Sequence, residues 1–437
     1  MNEKMQLPEG WEWTELGNIG EVVTGTTPSK KDSDNYGDFL PFVKPPDLHE
    51  GFVSSAQDNL SKKGATKARI IQENSVLVSC IGIIGKTGLT RKSVAINQQI
   101  NGIIFNKDVN PLFGLYYFQS SNARNWLRNK ASATTVSIIN KSKFSQTPFP
   151  LPPLDEQERI VAKIETLFSQ LDSGVASLKR IQAALKRYRA SVLKAAFEGK
   201  LVSQDPANEP AEALLRRMGK VPIEDENLPT LPEGWCWAVI EDVVQINPKD
   251  NNLRSLSDDL TVSFVPMAAV DAYLGVIFTP TIKSLGEVRK GFTQFINGDV
   301  IFAKITPCME NGKAAIARNL HNGKGFGSTE FHVFRHGEAV IPEWIFHFIR
   351  QEKFRSDAKA HFSGTAGQLR VPVSFLSSYL LPLPPLGEQY RIVSFIEQYL
   401  SVIAEVESVI NSLVTYSTRL RQAILKKAFE GGFTKNV

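Results

Sequence analysis

The chain has 437 residues, a formal net charge of +5 at pH 7, 42% hydrophobic and 22% charged residues. That length is too great for one ordinary domain and suits two or three, and the balance is that of a soluble globular protein. No stretch reaches the ~18 apolar residues of a membrane span, and the opening MNEKMQLPEG has no secretory-type apolar run. Cys80, Cys236 and Cys308 are isolated and form no CxxC, which suits a reducing cytoplasm. The charge is compatible with a polyanionic partner without requiring one.

Leu7–Trp13 reads LPEGWEW and returns as LPEGWCW at Leu231–Trp237. Each copy opens a body that reads as mixed α/β. In the first, Phe39–Val43, Ser75–Ile84 and Ile100–Phe105 look like strands, and about Leu112 to Asn129 looks like a helix. In the second, Val262–Met267, Asp299–Ile305 and Glu330–Phe334 read as strands, with a helix from about Glu343 to Ala360. SVLVSCIGIIGKTGL (Ser75–Leu89) and DVIFAKITPCMENGKAAI (Asp299–Ile316) read as the same strand, loop and strand, differently filled. Shared residues cluster at the junctions of the halves, while the centres diverge.

A second repeat follows each body. LPPLDEQERIV opens at Leu151 and SVLKAAFEG closes at Gly199; LPPLGEQYRIV opens at Leu383 and AILKKAFEG closes at Gly431. The Pro152-Pro153 pair bars helix upstream, Asp155 can cap, and Gly199 can stop the helix in the left-handed conformation. Between them, Ile160, Ile164, Leu167, Leu171, Leu178, Ile181 and Leu185 step by threes, fours or their sum, seven. In the second copy the stripe is a heptad seam: Ile392, Ile396, Ile403, Val406, Ile410, Leu413, Leu420 and Ile424. Two amphipathic helices, each packed on its own domain, would be the plainer arrangement. Helices this long far exceed the usual ~11–12 residues, so two such stripes most simply bury each other. Each would run roughly 60 Å. The connection from Lys200 to Thr230, with a short amphipathic helix within Glu209–Met218, favours an antiparallel pair. The expected organisation is body 1–150, helix 151–200, linker 201–230, body 231–382 and helix 383–437.

Catalytic motifs are not found. GIIGKT at Gly82–Thr87 lacks the first glycine of a phosphate-binding loop, where Cys80 stands. KPPD at Lys44–Asp47 has the wrong outer residues for an amino-methyltransferase motif, and His332 and His336 flank an apolar strand without a metal-ligand pattern. Cations instead recur where loops are expected. The candidates for contact with a nucleic acid are Thr27, Ser29, Lys30, Lys31, Lys44, Lys86, Arg91 and Lys92 in the first body. In the second they are Lys290, Lys304, Lys313, Gln368 and Arg370. Such side chains neutralise phosphates or read base edges, and small residues around Gly25–Lys31 and Gly364–Arg370 let backbone approach a duplex.

With the doubled LPEGW opening, the doubled PLPPL-x-EQ helix start and the doubled [LI]K-x-AFEG helix end, the chain resembles the DNA-specificity subunit of type I restriction–modification systems. FAKITPCMENGK (Phe302–Lys313) and NQQINGI (Asn97–Ile103) are similar to stretches of its target-recognition domains. The resemblance implies two α/β (α+β) target-recognition domains, separated by a long antiparallel two-helix coiled coil with a pseudo-twofold internal repeat. Each domain would read one half of an asymmetric split site in double-stranded DNA, and the helices would act as a ruler over unread base pairs. It implies a cytoplasmic, non-catalytic subunit with two modification (methyltransferase) subunits and, for cleavage, restriction subunits as partners. S-adenosylmethionine, ATP and magnesium would belong to those partners, with no cofactor, metal or membrane attachment in this chain. The competing expectations are a protein-only coiled-coil scaffold with two adaptor domains, and a diverged self-contained DNA methyltransferase or nuclease.

Overall fold

The computed structural model describes residues 7–132, 136–250, 255–365 and 368–433. Ala366 and Gly367 of the SGTAGQ loop therefore lie outside the described residues. The chain divides into two compact units, Met1–Arg180 with Ile410–Val437, and Ile181–Val409. The two long helices, Leu154–Phe197 and Leu386–Phe429, have 44 residues each. Each unit therefore takes the beginning of one long helix and the end of the other.

In the first unit, strands Gly20–Thr24, Ile100–Phe105, Val76–Ser79, Thr87–Thr90 and Phe52–Val53 lie side by side in that order. A second sheet runs Asp58–Leu60, Tyr36–Val43, Val94–Ile96, Arg69–Ile71. All four residues of Val76–Ser79 are buried because both faces of the strand are covered. Val76 and Val78 pack with Phe113 and Phe118, whereas Leu77 points the other way, to Val43, Ile71 and Ile96.

The second unit repeats this plan. Its sheets run Val244–Ile246, Phe331–His336, Val300–Ala303, Ala314–Ile316 and Thr281–Ser284, Thr261–Val265, Lys324–Gly327, Thr293–Ile296. Val300 and Phe302 face one core and Ile301 the other. The two strand-loop-strand segments are antiparallel hairpins as read, with Val76 opposite Leu89 and Val300 opposite Ile316.

Several expected elements are shorter. The strand expected over Ser75–Ile84 stops at Ser79, since Gly82 and Gly85 turn the chain with φ of 75° and 91°, and the Ser79 hydroxyl donates to the Ile83 carbonyl at 2.5 Å. The helix expected from Leu112 to Asn129 is two, Pro111–Gln119 and Ser121–Lys130. Ser120 breaks them in extended conformation and caps the second by accepting from the Ala123 N–H. Its counterpart is likewise Pro342–Ile349 and Glu352–Ala360. The first long helix starts at Leu154, so Asp155 lies inside its first turn rather than at its cap.

The repeated motifs have structural explanations. The glutamine of each EQ is fully buried and brackets the loop that enters the body's apolar helix. Gln157 accepts from Asn110 N–H and donates to the Asp108 and Pro152 carbonyls; Gln389 accepts from Ile341 N–H and donates to those of Ala339 and Pro384. The helix-end glycines are left-handed, and a Cβ on either would strike a proline of an opening motif: Gly199 lies on Pro232, and Gly431 on Pro8. The first AFEG thus completes the second body and the last AFEG the first. Phe197 packs on Trp344 and Phe348, Phe429 on Phe113 and Tyr117.

The long helices pack antiparallel in both units. In the first, Ile160, Ile164 and Phe168 share a core with Ile424, Leu425 and Phe429, flanked by Leu167, Leu171 and Leu420. Asp172 pairs with Arg421, whose guanidinium lies 4.2 Å from the Phe168 ring. In the second, Leu193, Ala196 and Phe197 meet Ile392, Val393 and Ile396, and Tyr188 packs edge-on against Tyr399. Towards the middle of the helices Ile403 and Ile410 are buried and Leu178 and Leu185 half-buried. Ile181, Val406 and Leu413 lie exposed, because a two-helix seam covers one side only and a straight helix drifts from a strict heptad by ~20° per repeat. Among the described residues no helix is long and apolar enough to cross a membrane.

Candidate nucleic-acid interface

Strand direction decides which loops meet. In the first unit, Asn101 lies opposite Thr24 and Ile100 opposite Ser79. The ends of Gly20–Thr24 and Val76–Ser79 therefore share one edge with the start of Ile100–Phe105. Val43 pairs with Ile96 and Ile96 with Arg69, which brings the second sheet's loops to the same edge. Hydrogen bonds tie them: Gly25 N–H donates to Ile100, Thr26 N–H to Ile96, Asn97 N–H to Val43 and Cys80 N–H to Gln99. This edge gathers Thr27, Ser29, Lys30, Lys31, Lys44 and Lys86. It does not gather Arg91 and Lys92, which follow Thr87–Thr90 at the hairpin's far end, roughly 13 Å away at ~3.3 Å per residue. Arg91 is stacked on the Phe52 ring at 3.5 Å.

Several of these side chains already have protein partners. Lys44 pairs with Asp58, and its backbone N–H donates to Asp47. Thr27 donates to Gln98, while Ser29 shapes its own turn by accepting from Lys31 N–H through its hydroxyl and from Asn35 through its carbonyl. Lys30 and Lys31 are exposed. The Cys80 thiol is buried and pushed up to about 12, so it stays protonated at neutral pH.

The second unit builds the same edge from other residues. Lys304 N–H donates to the Glu330 carbonyl where Cys80 N–H donates to Gln99. Lys313 Nζ donates to the Met267 carbonyl at 2.9 Å and Lys86 Nζ to the Pro45 carbonyl at 3.5 Å. Pro45 and Met267 each open a 3-10 turn after the equivalent strands. The two Gly-Lys pairs are therefore one structural position, with Gly85 and Gly312 both left-handed. Ile138 bridges Ile81 and Ser132; Arg370 bridges Ile305 and Ser363. Lys290 precedes the strand residue Thr293, which pairs with Gly327, so it reaches this edge too. Gln368 is exposed beside Arg370 and accepts, through its carbonyl, from Arg370 Nη1 at 3.0 Å.

Three residues at these edges were not among the sequence candidates: Gln98, Gln99 and Glu330. Glu330 accepts two hydrogen bonds from Arg370, from Nε at 2.9 Å and Nη2 at 2.7 Å, and this pairing holds its carboxyl below the usual range. The signal available in sequence was the polar run before each central strand, NQQ before Ile100 and STE before Phe331. His332 is buried and uses both ring nitrogens on the protein. Nε2 lies 2.9 Å from the Val371 carbonyl, which requires the proton there, and Nδ1 accepts from Asn247 at 3.1 Å. Burial lowers it to about 4, so it is neutral near pH 7.

The family described as Type I restriction modification DNA specificity domain matches residues 8–187 and 232–415. The chain is 38% identical over 242 residues to the type I restriction enzyme EcoEI specificity subunit of Escherichia coli, covering 51% of this chain and 40% of that one. It is 36% identical over 275 residues to the EcoAI specificity subunit of the same organism, covering 57% and 46%. The match thus spans under half the length of these two relatives. Against the EcoKI specificity subunit of Escherichia coli strain K12 it is 25% identical over 439 residues, covering 98% and 90%. In fold it is similar to a chain from a study of complex assembly and conformational transition of the type I R-M system, with TM-score 0.73, 20% identity, and 98% and 99% covered. It is also similar to the HsdS subunit from Thermoanaerobacter tengcongensis, with TM-score 0.59, 19% identity and the same coverage. With its two matched segments falling on the two duplicated halves, the chain belongs to the type I restriction–modification DNA-specificity family.

Proposed function

We propose that the chain is the sequence-reading, DNA-binding subunit of a type I restriction–modification complex. Each body reads one half of an asymmetric split site, and the paired helices hold the two readings a set number of base pairs apart. The observation that carries this reading is the duplicated edge, on which equivalent strands and turns present Lys86 and Lys313 alike while the side chains around them differ. Constant cations suit phosphate contact, which positions; variable neighbours suit base contact, which specifies. The chain itself is non-catalytic, and methyl transfer and cleavage belong to two methyltransferase subunits and to restriction subunits. Those partners carry S-adenosylmethionine, ATP and magnesium.

The spacer is the testable part. Profiling methylated positions genome-wide in cells carrying the complex gives the two half-sites and the gap between them. Removing one heptad from both long helices shortens each by about 10 Å, or about 3 base pairs at 3.4 Å. The expected result is the same two half-sites at a smaller separation. An unchanged separation, or one continuous footprint, would defeat the ruler. Affinity falling steeply with salt is expected of a DNA reader, whereas a protein-only adaptor would lack DNA affinity even at low salt.

Partner docking is supported by a second apolar stripe. Phe395, Val402, Val406 and Val409 are exposed and step by seven, four and three along the second long helix, beside the seam it buries. Replacing Val402 and Val409 together by glutamate is expected to weaken methyltransferase-subunit association at least tenfold in sedimentation or pull-down measurements, with the subunit's own melting temperature little changed. Undiminished association would remove this face as the docking surface.

A further inference from the structure

The two edges differ most sharply at one shared position. Ile138 and Arg370 each bridge the strand-end loop of the central hairpin on one side and a nearby serine on the other. The next residue repeats the match: Ile139 N–H donates to the Cys80 carbonyl, Val371 N–H to that of Lys304. Gln99 and Glu330 hold the equivalent place just before the central strand, their carbonyls accepting from Cys80 N–H and Lys304 N–H. One half therefore carries an apolar side chain here and the other a guanidinium held by a carboxylate.

We infer that Arg370 is the guanine-reading residue of the second body and that Glu330 is its positioning residue; this rests on the DNA-reading function proposed above. Arg370 donates from Nε and Nη2 to Glu330 and from Nη1 to the Gln368 carbonyl. The pair to Glu330 takes up the Nε/Nη2 edge and the bond to Gln368 engages Nη1; together they fix the guanidinium plane, and the side chain remains 37% exposed. Of the five N–H donors one remains on each of Nη1 and Nη2, and a planar fork of this kind matches the O6 and N7 acceptors of guanine in the major groove. A phosphate contact is the poorer fit, because the adjacent Glu330 carboxylate cancels the charge that a phosphate would seek. Lys304 and Lys313, without that carboxylate pairing, suit phosphates better. Glu330 is fixed in turn, since its carbonyl accepts from Lys304 N–H. Ile138 has no donor at the matching position, so the first half-site has no guanine requirement from it.

The test uses the full chain assembled with its methyltransferase partner, on duplexes carrying the site found by methylation profiling. Each guanine of the site is replaced in turn by 7-deazaguanine, which lacks the N7 acceptor. With the wild-type chain, one guanine in one half-site is expected to show a loss of about tenfold or more, within the range of a bidentate base contact. In Arg370→Ala that penalty disappears, while penalties in the other half-site and the melting temperature persist. In Glu330→Gln it shrinks, because the fork is held less firmly. Three results overturn the assignment: no guanine in either half-site, unchanged penalties in Arg370→Ala, or a uniform loss of affinity on every duplex. If the wild-type complex shows no sequence preference at all, the proposed function fails first, and the two failures are thereby told apart.

Discussion

Replacing Phe429 by alanine is expected to destabilise the first unit by about 3–5 kcal/mol, the usual cost of emptying a buried phenylalanine site. Phe429 is 2% exposed and packs edge-on against Phe113 at 5.1 Å and Tyr117 at 5.3 Å between ring centres. It lies close to the chain's end, yet the core it fills also contains Trp11 and Leu16 from the chain's beginning. Hydrogen exchange read by mass spectrometry should show faster exchange in strands Gly20–Thr24 and Ile100–Phe105, with Val300–Ala303 and Phe331–His336 little changed. Phe197→Ala should give the reverse pattern, since Phe197 packs on Trp344 in the other unit. Equal loosening of both units by either variant would refute this division of the cores.

That exchange of helix ends marks the limit of what the sequence made legible. The long helices were readable because a stripe of apolar residues over many turns is a repeated signal, and the helix-end glycines confirm where it stops. The doubled motifs announced two equivalent halves. They did not say that Gly199 would seat on Pro232 and Gly431 on Pro8, because motif recurrence carries no information about which copy meets which. The candidate interface was legible in part for a related reason. Lys86 and Arg91 are both loop cations on one hairpin and look alike in sequence, but strand direction puts them at opposite ends of it. Glu330 and Gln99 were overlooked because single polar residues before a strand are common. Only their shared backbone bonding, to Lys304 and Cys80, makes them equivalent.

A buried ion pair in the second unit supplies the other large effect. Asp299 is 1% exposed, accepts from Arg335 Nε at 2.8 Å and Nη2 at 2.7 Å, and also accepts from Ile296 N–H at 2.8 Å. It immediately precedes strand Val300–Ala303, which leads into Lys304 at the candidate interface. Arg335→Met keeps most of the side chain's packing but leaves the carboxylate buried without its cation, and the expected loss is about 3–5 kcal/mol. Adding Asp299→Asn removes the stranded charge while keeping an acceptor for Ile296 N–H, so the double variant should recover much of that loss. Urea unfolding of wild type, both single variants and the double variant measures the coupling directly. If the double variant proves no more stable than Arg335→Met, the cost does not arise from an unpaired carboxylate. Loss of guanidinium packing would then be the cause, and the pair would be a filler of space rather than an electrostatic anchor for the strand that carries Lys304.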